Sequence, residues 1–118
     1  MQRVNEDECE FRGGDSGPKY FMRGPRFEWG VIVFHPQQSL GAHRHREVEE
    51  TFYFESGAPV MVVNGERHRV RPGDVFRLQP SEAHDIINDT AEDTRIIFIK
   101  CPYLPDDKEP VAADRDRA

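Results

Sequence analysis

With 118 residues the chain suits one domain and leaves no room for a second. Its formal charge of −6 argues against nucleic acid as the main partner, and two cysteines, Cys9 and Cys101, make neither a disulfide framework nor a Cys-x-x-Cys metal pair. No apolar run approaches membrane-spanning length and Met1–Glu10 lacks the apolar stretch of a secretory leader, so the expected setting is the reducing cytoplasm with no membrane partner.

Residues 1–18 are polar and carry glycines, and are expected to form an arm or a frayed edge. Short apolar runs rich in Val, Ile, Phe and Tyr follow: Tyr20–Met22, Trp29–Phe34, Thr51–Phe54, Val60–Val63, Val75–Leu78, Asp85–Ile87 and Arg95–Ile99. Helical signals are weak. Many short strands with turn residues between them predict an all-β sandwich or barrel over residues 19–105. Asn64-Gly65, both tolerant of positive φ, predicts a type I′ hairpin joining Val60–Val63 to Glu66–Val70. Pro72-Gly73-Asp74 predicts another turn, and His35–Gly41 a loop. Residues 106–118 are charged, with Val111 their one sizeable apolar residue; a disordered tail is expected beyond about Lys108.

Chemistry concentrates in Gly41–Glu50. On a strand His43 and His45 point the same way, their Cα atoms roughly 6.6 Å apart. Two imidazoles so placed can converge on one ion, since zinc–nitrogen bonds are about 2.0–2.1 Å. Three glutamates compete to supply a carboxylate. Glu47 and Glu49 share the parity of His45 along a straight strand. Glu50 shares that of Phe52 and Phe54, the apolar face of the next strand, whereas Glu49 falls with Thr51, Tyr53 and Glu55. A turn or bulge between Arg46 and Glu49 resets the phase, which makes Glu50 the inward carboxylate and leaves Glu49 in reserve. Downstream, His84 enters a strand with Ile86 and Asn88 on its face, where an imidazole is costly unless hydrogen-bonded or metal-bound. Singly, each has an ordinary explanation: a surface His pair, a solvated acidic turn, a satisfied core histidine.

Jointly, residues Gly41 to Asn88 resemble the two motifs of the cupin superfamily, small β-barrels of the jelly-roll (double-stranded β-helix) type. In the first motif a His-x-His pair is followed after three or four residues by a glutamate, then after six by a glycine. Here four residues separate His45 from Glu50 and six separate Glu50 from Gly57, so the spacing also selects Glu50. In the second motif Gly73, His84 and Asn88 take their expected places. Gln79 stands where the motif has proline, Ser81 where it has glycine, and Gly41 lies closer to His43 than the first-motif glycine. The short spacer between Gly57 and Gly73 is similar to that of small microbial single-domain cupins.

The resemblance implies one divalent ion (iron, manganese, nickel or zinc) held by His43, His45, Glu50 and His84. It implies a metal-dependent oxidoreductase of the dioxygenase kind acting on a small organic substrate. The alternatives are a sugar(-phosphate) isomerase-like enzyme and a non-catalytic binding or sensing module. A homodimer is the expected assembly, with the N-terminal arm available for exchange between subunits. Phe52, Phe54, Phe76, Leu78 and Ile86 are the expected substrate-pocket lining, ordinary barrel core being the other reading, and Trp29 and Met61 are further core or lining residues. Arg44, Arg46, Arg67, Arg69 and Arg77 either attract an anionic substrate or form a solvated outer face, and His35 and His68 are read as non-ligands. No catalytic residue and no organic cofactor are assigned.

Overall fold

Alternation of apolar and polar side chains sets ten strands in the computed structural model, which describes residues 1–112. They are β1 (Gly17–Arg23), β2 (Glu28–Phe34), β3 (His43–His45), β4 (Glu49–Ser56), β5 (Val60–Val63), β6 (Glu66–Arg69), β7 (Val75–Leu78), β8 (His84–Ile87), β9 (Thr94–Cys101) and β10 (Lys108–Pro110). Two five-stranded antiparallel sheets result, ordered β1-β2-β9-β4-β7 and β10-β3-β8-β5-β6. Every apolar run read from the sequence falls within one of these strands.

The inward faces meet in a core of Ile32, Phe34, Phe52, Phe54, Met61, Val70, Leu78, Ile86, Ile96 and Phe98. Cross-strand register stacks Phe52 on Phe98 and Phe54 on Ile96. Full burial of one such side chain stabilises by roughly 1.5–3 kcal/mol. Asn64 and Gly65 both hold positive φ, 48° and 83°, as the hairpin reading requires. Gly57 has φ +88°, and a Cβ there would meet Thr94 at 2.7 Å, so the glycine that ends the first motif is demanded by conformation and by space. Asn88, fully buried, donates to Phe34 O (3.0 Å) and Glu92 O (2.7 Å) and accepts from Thr90, tying two loops together.

The two ends of the barrel sequence differ from expectation. Gly17 and Pro18 already belong to β1, and ahead of them Glu6–Glu8 forms a 3-10 turn capped by Asn5. Glu6 then holds Arg95 at 2.8 Å and Lys19 at 3.5 Å, packing this segment on its own chain. The tail reading is corrected over 106–112. β10 pairs antiparallel with β3, Lys108 opposite His45 and Pro110 opposite His43. Its charged composition reads as solvated, yet an edge strand tolerates exposed charge and proline. The expectation for 113–118 lies outside the described residues.

Asp107 is the anchor of that tail. Its buried carboxylate accepts from the backbone N–H groups of Glu47 (2.8 Å) and Val48 (2.9 Å), donors released where the chain breaks between β3 and β4. Burial pushes its pKa up, but those two donors, with the charges of His45 and Arg46, hold it below the ordinary 3.8. Asp107→Ala is therefore expected to cost about 2 kcal/mol in urea unfolding at neutral pH, two charge-assisted bonds being lost against resolvation of the freed donors. Because the folded value is depressed, this contribution is complete above the ordinary value and is lost as pH falls through the lower one. The gap between wild type and variant should thus shrink below pH 3.8; a gap that widens on acidification contradicts the assignment.

Candidate metal centre

The period of two on β3 turns His43 and His45 inward with Arg44 exposed between them. A bend at Arg46–Glu47 then breaks the strand, and β4 restarts in the opposite phase. Glu50 therefore shares its inward face with Phe52 and Phe54, while Glu49 lies on the other face, opposite Cys101. On β8, His84 and Ile86 point inward and His84 pairs directly with His43 across the sheet.

These four side chains converge. Their ligating atoms all lie within 4.8 Å of one another, and each residue is buried. Glu50 Oε1 is 3.0 Å from His45 Nε2, 3.3 Å from His84 Nε2 and 3.9 Å from His43 Nε2. Two donors about 2.1 Å from one ion and at right angles to each other stand roughly 3 Å apart, so the spacing fits a shared ion. The Nδ1 atoms of His43 and His84 lie 2.8 Å from Gly41 O and 2.9 Å from Glu82 O. Each Nδ1–H donates to its carbonyl, which fixes the tautomer and leaves the Nε2 lone pair aimed at the centre. His45 Nδ1 is buried without a hydrogen-bond partner among the described residues.

Electrostatics favour the ligating protonation states. Burial raises the Glu50 pKa, but His43, His45, His84 and Lys100 together hold it well below 4.5. Burial pushes His43 below 6.5, against the pull of Glu50. A carboxylate and a neutral imidazole are what a divalent ion requires.

A cavity of about 160 Å³ opens on His43, His45 and Glu50. Its wall is made of residues other than the expected pocket lining. Phe52, Phe54, Leu78 and Ile86 belong to the closed core, Phe76 packs against that core, and none of them faces the cavity. Inward positions deep in a small barrel are filled by one another. Met61 is core as well, and Trp29 packs edge-on against Phe21.

The wall also carries polar groups, with Tyr20, Glu28 and Lys100 the more buried and Arg12, Arg23 and Lys108 exposed. Lys100 Nζ donates to the Tyr20 hydroxyl at 2.7 Å and lies 3.8 Å from Glu28, which also meets Arg23 at 3.3 Å. Register places Lys100 between Glu28 on β2 and Glu50 on β4. Sequence reading assigned none of these residues. A signal was present: Glu28 shares the parity of Ile32 and Phe34, and Lys100 that of Ile96 and Phe98, so both are charges on apolar faces. The five arginines singled out from sequence lie elsewhere; Arg44 is bound to Glu109 (2.6 Å) and Arg69 to Asp89 (2.7 Å). His35 and His68 stand outside the group, although His35 meets Asp93 (2.9 Å) and Asp15 (3.3 Å).

Fold and site together define a small double-stranded β-helix with a buried group of three histidines and one glutamate at one end of the barrel. The Cupin domain family matches residues 30–100, and the chain belongs to it. Among solved structures it is similar to an uncharacterized conserved protein with a double-stranded β-helix domain from Klebsiella pneumoniae (TM-score 0.80, 19% identity, covering 96% of this chain and 99% of that one). It is also similar to KdgF from a Halomonas species (TM-score 0.76, 19% identity, 90% and 97% covered). A predicted oxalate decarboxylase from Thermotoga maritima matches with TM-score 0.63 and 21% identity, covering 86% of this chain and 99% of that one. At these identities the likeness is one of fold.

The turn that delivers His84 carries a local cost. Ser81, where the family motif has glycine, holds φ 74° while its N–H donates to His45 O at 2.7 Å. The left-handed region costs a non-glycine residue about 1–2 kcal/mol, of which glycine's larger unfolded entropy returns about 0.5–1. Ser81 is exposed, so no packing is lost on substitution. Ser81→Gly is expected to raise unfolding free energy by about 0.5–1 kcal/mol; a variant less stable than wild type would sink this account.

Proposed function

We propose that this protein is a metal-dependent enzyme that uses His43, His45, Glu50 and His84 to present one divalent ion to a small organic substrate. The observation carrying the proposal is a cavity of about 160 Å³ that reaches His43, His45 and Glu50 and whose mixed wall sets Tyr20, Glu28 and Lys100 beside Ile32 and Phe98. Four protein ligands leave two positions of an octahedral shell for water or substrate. When bound, such an ion supplies Lewis-acid polarisation of a substrate oxygen.

The chain's own residues supply the rest. His43 and His84, locked through Gly41 and Glu82, hold their Nε2 atoms in place. The Lys100 ammonium donates to the Tyr20 hydroxyl, so this pair holds a proton on the cavity wall. Glu28, buried and 3.8 Å from Lys100, keeps that ammonium oriented and offers a second carboxylate. A wall of this kind supports proton transfer of the isomerase-like class more than oxidation in an apolar pocket.

A second reading is the dioxygenase-type oxidoreductase, favoured by the donor set, since three imidazoles and a carboxylate suit iron as well as zinc. The homodimer and the cytoplasmic setting read from sequence are kept as proposals, to be checked by sizing and fractionation.

Metal analysis of purified protein is expected to find about one divalent ion per chain, with His43→Ala and His84→Ala each losing at least about tenfold in affinity. Wild-type protein with no affinity for manganese, iron, nickel or zinc would overturn the metal site. Zinc- and iron-loaded protein is then offered a panel of small hydroxy and oxo compounds in deuterated buffer beside an oxygen electrode. Deuterium incorporation without oxygen uptake is expected. Stoichiometric oxygen consumption transfers support to the second reading, and neither signal leaves a binding module.

A further inference from the structure

Charge is distributed unevenly in this molecule. The chain as a whole is acidic, at −6. Yet the cavity beside the ligand cluster is lined by four cations, Arg12, Arg23, Lys100 and Lys108, against two carboxylates, Glu28 and Glu50. It is a net positive cavity even before any ion is added, and a cleft with low-dielectric walls focuses such a field.

The cations divide into two kinds. Arg23 and Lys100 are already engaged with Glu28. Arg12 and Lys108 form no ion pair among the described residues, and both stand exposed at the rim. They come from distant parts of the chain. Arg12 lies in the loop ahead of β1, held by its backbone N–H on Pro18 O (2.8 Å). Lys108 is set by the pairing of β10 with β3, opposite His45. A second, more open cavity of about 350 Å³ also touches Arg12, Pro18, Leu40 and Lys108. These two cations, Arg12 with its guanidinium 5.6 Å from the centre of the Tyr20 ring, thus mark the passage from surface to ligand cluster.

We infer that the cavity binds a small organic carboxylate, its anionic end held by Arg12 and Lys108 and its other end directed at His43, His45 and Glu50. The direction of the far end rests on the metal reading above; the anionic end does not. Size points to a small acid: a cavity of about 160 Å³ is comparable with one of roughly 150 Å³ that holds benzene. The planar fork of Arg12 matches a carboxylate's two oxygens, and Lys108 adds a second charge.

The test is calorimetric titration of zinc-loaded and chelator-stripped protein with lactate and malonate. Propane-1,2-diol and malonamide serve as their neutral counterparts, and inorganic phosphate as a competing anion. The acids are expected to bind at least about tenfold tighter than the neutral compounds and than phosphate. Arg12→Gln and Lys108→Gln are each expected to weaken the acids about tenfold at unchanged metal content. Arg77→Gln, on the exposed face of β7, is expected to change nothing. Equal binding of acids and neutral compounds, tighter binding of phosphate, or wild-type affinity in both rim variants would overturn the inference. Rim-dependent acid binding in protein that takes up no metal would remove the metal reading alone. Metal uptake without acid binding would remove this inference alone.

Discussion

One constraint governs the molecule: a carboxylate and three imidazoles must be gathered in the dry interior of a small barrel. Withdrawing one charge from water costs several kcal/mol, recovered only where partners are close and correctly aimed. Glu50 is buried, with three Nε2 atoms between 3.0 and 3.9 Å from one of its oxygens. Much of the surrounding architecture serves that geometry. The break after His45 re-phases the chain so that Glu50 faces inward, and Asp107 satisfies the backbone donors the break exposes. The carbonyls of Gly41 and Glu82 set the ring orientations of two of the histidines.

The barrel is consequently divided in kind along its interior. Around Phe52, Phe54, Met61, Ile86 and Ile96 it is closed and apolar, with no exposure at all. Around Glu28, Lys100 and Tyr20 it is charged and reaches solvent. Ile32 and Phe98 are where the two meet, since both belong to the core and both line the cavity. A barrel of this size cannot hold a large ligand and a packed core at once. The partition lets hydrophobic burial stabilise one part while the other stays open to solvent.

How much of this was legible in the sequence follows from the range of each signal. The clustered residues were readable because parity and spacing act within a few residues: Glu50 was separated from Glu49 by its phase with Phe52 and Phe54 and by the motif spacing, and His84 was joined to them by the second motif. The strands and the Asn64-Gly65 hairpin were readable for the same reason. The cavity wall was not, because Arg12, Tyr20, Glu28, Lys100 and Lys108 are brought together only by the order of strands within and between sheets. Glu28 and Lys100 did betray themselves as charges on apolar faces, a cue as local as the one used for His84. β10 was missed because composition reports solvation, and an edge strand satisfies solvation and pairing together.

The thinnest strand holds two of the four clustered side chains. β3 is three residues long and meets β8 through the single pair His43–His84, its other flank being closed by β10. That closure comes from about sixty positions downstream, where Asp107 reaches back to Glu47 and Val48. Contacts of such long sequence separation form late, since loop-closure entropy must be met first. During synthesis, then, the His43–His45 strand leaves the ribosome long before the segment that clamps it. Convergence of the four side chains is in this way tied to a pairing that cannot form until nearly all of the barrel has been made.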